Sequence, residues 1–134
     1  MQHVTLDLYR CTPALLNNET FLRNVLEEYP KHIKMVQVGP AELRYIKTSN
    51  PLDDGYSGFA IIATSHISLH AWSSYQMVNI DIFSCEEFSV EAVVALACKM
   101  FQTDDVEVHV LERATRSPRV PSHSQRSSNV PHIG

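Results

Sequence analysis

Ser57-Gly-Phe-Ala-Ile-Ile-Ala-Thr-Ser-His-Ile-Ser-Leu-His-Ala-Trp72 decides the fold. Its first half, Gly58–Ala63, is a short, continuously apolar run. From Ser65 to Trp72 the pattern alternates, with Ile67, Leu69 and Ala71 on one parity and His66, Ser68, His70 and Trp72 on the other. Period two over such a stretch marks a half-buried strand. Met77–Ser84 follows with the same alternation: Val78, Ile80 and Ile82 against Met77, Asn79, Asp81 and Phe83. Two alternating strands with a short connection pair antiparallel.

Upstream, His3–Arg10 alternates, with Val4, Leu6 and Leu8 on one face. Asn17 or Asn18 can cap a helix, and Phe21, Leu22, Val25, Leu26 and Tyr29 recur at helical spacing until Pro30, where a stop is expected. Ile33–Val38 and Glu42–Thr48 read as two further strands, and Ser49–Tyr56 as a loop dense in turn formers. Downstream, Ser89 reads as a second cap before an apolar stripe of Val90, Val93, Val94, Ala97 and Phe101, and Val106–Leu111 closes the pattern as a strand. The order β-α-β-β-β-β-β-α-β predicts an α/β (α+β) two-layer sandwich, a mainly antiparallel sheet with two helices on one face.

The chain has 134 residues, enough for one domain with a modest core of its own. Residues 1–112 carry seven basic and fifteen acidic residues, so the body is strongly acidic, which argues against nucleic acid as the main partner. No apolar run approaches the ~20 residues of a membrane span, and the N-terminus lacks the apolar core of a signal peptide. Three cysteines cannot all pair, so a reduced, cytoplasmic protein is expected. Residues 113–134 differ from the body. They hold four arginines, three prolines, five serines and no acid, and predict a disordered basic tail or an arm for an acidic surface, the chain's own body included.

Reactive residue types concentrate in Ser57–Trp72 and Asp81–Cys85. A zinc site on His66, His70 and Cys85 fits poorly, because two histidines four apart on a strand lie roughly 13 Å apart. No G-x-S-x-G elbow is present for a serine hydrolase. A Cys85–His70 nucleophile pair on adjacent strands has no signature behind it. On pattern alone, a sheet with incidental histidines accounts for the residues. Cys11 and Cys98 read as inert packing residues, His66 as a structural hydrogen-bonding residue, and Asp53 and Asp54 as turn formers. Asp81 reads equally as a polar strand residue or a partner for a substrate amine.

The order Ser57-Gly58, Ser65-His-Ile-Ser-Leu-His70 and Asp81-Ile-Phe-Ser-Cys85 resembles the bacterial and archaeal S-adenosylmethionine decarboxylase proenzymes, over most of residues 3–113. That resemblance implies a chain that cuts itself between Thr64 and Ser65. Ser65 Oγ attacks the preceding carbonyl, the amide becomes an ester, and β-elimination followed by hydrolysis leaves a pyruvoyl group. It implies a pyruvoyl cofactor, self-derived from Ser65, that takes the substrate amine as a Schiff base. It further implies His70 as the base for elimination, Ser57 as a holder of the tetrahedral oxygen, Cys85 as proton donor to the product and Trp72 beside the adenine. The implied partner is a small-molecule substrate, with a homodimer of processed protomers and a role in spermidine synthesis.

The chain departs from the family at four places, among them Gln76, where a glycine is usual, and Glu86, which follows Cys85 where glycine or lysine is common. Thr64 stands where a glutamate usually precedes the cut serine, and Ser73-Ser74 stands where the family has Pro-Glu, the glutamate of which contacts the ribose hydroxyls. Two alternatives therefore stay open beside S-adenosylmethionine decarboxylation: a pyruvoyl enzyme for ornithine or arginine, and an unprocessed, non-catalytic paralogue. Ser65 and His70, five apart on one strand, are about 17 Å apart; either the strand kinks after Ser65 or two chains share the site.

Overall fold

The computed structural model describes residues 1–118. The elements run β1 (Gln2–Leu8), α1 (Pro13–Leu16), α2 (Glu19–His32), β2 (Glu42–Ile46), β3 (Gly55–Ile62), β4 (Ser65–Trp72), β5 (Met77–Ser84), α3 (Val90–Phe101) and β6 (Val106–Glu112). The six strands form one sheet in the order β2-β3-β4-β5-β1-β6. Every neighbouring pair is antiparallel. The expected two-layer α+β sandwich is the observed architecture.

The alternation fixes which face is covered. Val4, Leu6, Leu8, Ile67, Leu69, Val78, Ile80 and Ile82 are all at most 1 % exposed and form the core with Leu22, Val25, Leu26 and Tyr29 of α2 and Val93, Ala97 and Phe101 of α3. The two long helices, α2 and α3, start where short polar side chains satisfy their first free N–H groups. Asn18 accepts from Phe21 N–H at 3.0 Å and Ser89 from Ala92 N–H at 3.1 Å. Tyr29 buries its ring between the helices and donates its hydroxyl to Val93 O at 3.2 Å. Gly58 lets α2 approach the sheet, since a Cβ there would sit 2.5 Å from Glu42 O and 2.9 Å from Leu26.

Four expectations are corrected. Pro30 does not end the first long helix, which continues to His32. The ring sits in the last turn, buried with Tyr29, so only one helical hydrogen bond is forfeited. Ile33–Val38 is not a strand. Lys34 turns the chain with φ 58°, and a single bridge joins Gln37 to Ile62. Beyond Gly39 (φ 74°) β2 takes over the same edge of β3, so the two strands expected there are one broken edge. A one-turn helix, α1, lies where no element was expected, and β3 starts at Gly55, inside the stretch read as loop. Of the expected tail, Arg113 is tied to the body: its N–H donates to Met1 O at 2.7 Å and its guanidinium lies 4.7 Å over the Phe83 ring. From residue 119 on, the tail expectation falls outside the described residues.

Among the described residues, the second sheet face carries no helix. Ile46, Phe59, Ile61 and Leu111 are 43–50 % exposed there.

Candidate active site

The β3–β4 hairpin places two groups of residues at its two ends. At the open end, Ser57 pairs with His70 across the ladder, and their side chains share a hydrogen bond, Ser57 Oγ to His70 Nδ1 at 2.9 Å. Both lie on the uncovered face. Next along β4, Trp72 donates its indole N–H to Asn79 Oδ1 at 2.6 Å, and Asn79 Nδ2 donates to Asp7 Oδ1 at 2.7 Å. This chain of bonds crosses β4, β5 and β1 and fixes the indole plane. A cleft of about 370 Å³ opens against Trp72, Tyr56, Ser57, His70, Thr48 and Asp53. A larger groove of about 680 Å³ runs from His70 and Ser57 along Ser68, His66, Phe59 and Arg44.

The closed end holds the second group. Ala63 and Thr64 form the turn, so Thr64 is its last residue and Ser65 the first of β4. Neither turn residue has positive φ, so this is not the primed turn usual in two-residue hairpins. Ser65 sits opposite Ile62 and Ser84. The Thr64 carbonyl, part of the Thr64–Ser65 peptide, accepts the backbone N–H of Cys85 at 3.2 Å. A backbone donor on that oxygen polarises the carbonyl toward attack. Thr64 Oγ1 lies 2.9 Å from Ser84 Oγ and 3.3 Å from Met35 Sδ.

One chain thus brings Ser57 together with His70 and Trp72, and separately brings Thr64 together with Ser65 and Cys85. It does not bring the two groups together. β4 is continuously paired over its length, so Ser65 and His70 remain about 17 Å apart. They also point to opposite faces of the sheet, Ser65 with the buried Ser84 and His70 with Asn79. Ser65 is half-buried at the sheet's very end, whereas His70 is exposed.

The other candidates sort by environment. Ser74 is exposed in a short turn after Trp72. Asp53 accepts from the Tyr75 hydroxyl at 2.8 Å, and this bond raises the phenol's pKa and keeps it a donor. Asp54 takes Thr48 N–H at 2.7 Å, the turn role expected of it. Asp81 stands 3.7 Å from His3 Nε2, and the exposed His66 ring lies against Phe83. Cys11 is buried, and that desolvation pushes its thiol up to about 11. Cys98 is raised for the same reason.

Ser84, Met35, Asn79 and the Cys85 backbone were not singled out from the sequence. Ser84 left a readable signal: it occupies the inward parity of β5 after Val78, Ile80 and Ile82, and a hydroxyl at a core position must find a partner. The remaining three depend on loop and cross-strand placement that no local pattern encodes.

The family model for S-adenosylmethionine decarboxylase matches residues 2–114. An S-adenosylmethionine decarboxylase proenzyme of Archaeoglobus fulgidus is 33 % identical over 113 residues, covering 84 % of this chain and 96 % of that one. The proenzyme of the same name from Parasynechococcus marenigrum is 33 % identical over 89 residues, 66 % of this chain and 65 % of its own length. Among solved structures, the adenosylmethionine decarboxylase of Aquifex aeolicus matches with a TM-score of 0.69 at 20 % identity, over 84 % of this chain and 88 % of that one, a likeness of fold.

Proposed function

The chain belongs to the S-adenosylmethionine decarboxylase family, and from that premise we propose that it cuts itself between Thr64 and Ser65 and then decarboxylates S-adenosylmethionine for polyamine synthesis in the cytoplasm. The observation that carries the reading is the Thr64 carbonyl, at the tip of a tight hairpin, accepting the Cys85 N–H with Ser65 as the next residue. Three free cysteines fit a reducing compartment. Among the described residues no helix is long and apolar enough to cross a membrane.

Ser65 Oγ adds to the Thr64 carbonyl carbon while the Cys85 N–H steadies the oxygen. The C–N bond then breaks, the Ser65 nitrogen takes a proton, and an ester joins Thr64 to Ser65 Oγ. His70 removes the Ser65 Cα proton, the Cβ–O bond breaks, and Thr64 leaves as a carboxylate. Only serine or threonine offers a hydroxyl that serves first as nucleophile and then as leaving group, and only serine leaves an unsubstituted pyruvoyl group after hydrolysis and loss of ammonia. The residues present fit that group, since the serine that forms it sits on a polarised peptide bond. When formed, the pyruvoyl carbonyl takes the substrate amine and draws in the electrons released by decarboxylation. The Cys85 side chain, at the same end of the sheet, holds the proton the product needs. Trp72, pinned through Asn79, offers a flat apolar wall for adenine, and Ser74 lies beside it.

His70 cannot reach Ser65 within its own chain, so the working unit is a homodimer. One observation and one symmetry argument support this. The helix-free sheet face exposes Ile46, Phe59, Ile61 and Leu111, which a second copy would cover. A two-fold axis across the strands would also set the His70 end of one sheet against the Ser65 end of the other. In this unit His70 and Ser57 serve the partner's cut.

The test is an intact mass of the purified chain together with release of labelled carbon dioxide from S-adenosylmethionine. The expected result is two fragments of 64 and 70 residues, the longer with a blocked N-terminus. A single uncut chain that releases nothing overturns the reading.

A further inference from the structure

Ser84 is the one fully buried polar side chain of the core among the described residues. Its hydroxyl makes three contacts at the hairpin tip. It lies 2.9 Å from Thr64 Oγ1 and 3.4 Å from Met35 Sδ, and it accepts the Glu86 N–H at 3.0 Å. Thr64 Oγ1 also reaches Met35 Sδ, at 3.3 Å. The two hydroxyl protons are both placed: one bridges the oxygens and the other rests on the thioether, a weak acceptor. A buried hydroxyl with every group satisfied has one favoured position.

These contacts bracket the reacting peptide. On one side, the bond to Thr64 Oγ1 fixes the Thr64 side chain, and with it the direction of the Thr64 carbonyl. On the other, the Glu86 N–H bond bends the chain directly after Ser84, which sets the direction of the Cys85 N–H. The hydrogen bond between that N–H and that carbonyl is the one argued above to polarise the scissile bond. A single hydroxyl therefore holds both partners of it. Met35 is held in turn by its N–H on Pro30 O at 2.8 Å, so the end of α2 braces the same cluster.

We propose that Ser84 is a positioning residue for self-cleavage, acting through a hydroxyl bridge to Thr64 that aims the Thr64 carbonyl at the Cys85 N–H. The inference rests on the self-cleavage reading. It also explains how a short threonine serves at the position before the cut: its hydroxyl anchors the turn from below, and the half-buried methyl needs no charge partner.

The experiment measures the rate of self-cleavage in freshly made full-length chains of the wild type, S84A, T64V and the double variant, with thermal melting alongside. T64V is nearly isosteric, sits on a half-buried turn residue, and keeps the fold if S84A does not. T64V is expected to cut about tenfold slower, the worth of one hydrogen bond in a barrier, and S84A, which also frees the Glu86 N–H, at least as much slower. The double variant is expected to be no slower than the worse single, because one bridge is lost in all three. T64S should recover most of the rate lost in T64V. In a H70A background, which stops at the ester, S84A or T64V should slow formation of the hydroxylamine-sensitive ester by the same factor, an effect on the first step that a general loss of stability does not produce. If the wild type is cut and T64V is cut as fast, the bridge has no such role while self-cleavage stands. If T64V slows only the elimination, the positioning argument fails too. A wild-type chain that never cuts overturns both.

Discussion

If the cut in one chain needs His70 from another, two dead variants should revive each other. Ser65→Ala has no nucleophile, and His70→Ala has no base for elimination. Within a single chain, bringing the two residues together would require closing about 17 Å to the ~3 Å reach of a general base. β4 is paired on both sides, with β3 from Tyr56–Ala71 to Ile62–Ser65 and with β5 from Ser65–Ser84 to Trp72–Met77. Freeing even half of that strand gives up roughly five hydrogen bonds at about 1 kcal/mol each. That is a large share of the ~5–15 kcal/mol that holds a domain folded. The intact strand is the cheaper state, so under the proposed mechanism the partner would supply His70.

The two variants are co-expressed in equal amounts with different tags. Random pairing makes about half the dimers mixed. Each mixed dimer holds one complete site: Ser65 from the His70→Ala chain and His70 from the Ser65→Ala chain. About half of the Ser65-bearing chains should therefore be cut, and none of the Ser65→Ala chains. The assay is a denaturing gel read by tag for the 64-residue fragment. If either variant alone forms the fragment, or if the mixture forms none while pull-down shows mixed dimers, sharing of the site between chains is refuted.

His70→Ala alone should stall at the ester, and hydroxylamine should then split the chain after Thr64; resistance to hydroxylamine removes His70 from that role. Cys85→Ala keeps its backbone N–H on the Thr64 carbonyl, so cleavage should run at nearly the wild-type rate while turnover falls tenfold or more; wild-type turnover would exclude the thiol as proton donor. Ser74→Glu with Ser73→Pro should tighten S-adenosylmethionine by about tenfold, the worth of a charge-assisted hydrogen bond to the ribose, with no effect on ornithine or arginine; the reverse pattern in a competition assay would point to a substrate without a ribose. Cys11, raised to about 11 by burial, stays protonated in the fold while the unfolded thiol ionises near 9. The folded state then binds the extra proton, so stability falls as pH rises from 9 to 11. Cys11→Ala should flatten that fall by on the order of 2 kcal/mol in denaturant melts, and equal slopes would contradict the buried thiol.

Period two was strong enough to be read directly in the central strands, where β4 and β5 keep the expected bounds. It failed at Ile33–Val38 because alternation says nothing about whether an edge is already occupied; β2 holds most of that edge of β3, and the segment forms a single bridge, Gln37 to Ile62, flanked by backbone hydrogen bonds at Val36 and Val38. Pro30 misled for a related reason. A proline beyond the first turn costs a helix one hydrogen bond, but in the last turn the burial of Tyr29 and Pro30 outweighs it. At the site, the pairing of Ser57 with His70 follows from the hairpin register, which the two-residue turn determines. The Cys85 N–H, the Ser84 hydroxyl and the Met35 sulfur required the chain to meet itself across 20 to 49 residues, and no local pattern carries that.

The two ends of β4 tolerate change differently, and burial is the reason. At the closed end the hydroxyl of Ser84 has no water to fall back on. Losing a partner there leaves a buried polar group unpaired at about 1–3 kcal/mol, which acts on folding and on the direction of the scissile carbonyl together. At the open end, Ser74 is exposed and Asp53 keeps its bond to Tyr75 at the surface. A missing carboxylate at Ser74 leaves water in its place and costs affinity alone. The indole of Trp72 is held from below through Asn79 and Asp7, so this flat apolar surface stands whatever residue follows it. On the proposed reading, a serine at position 74 leaves the fold, the closed-end site and the Trp72 surface unchanged, and the expected loss is confined to the ribose end of the substrate.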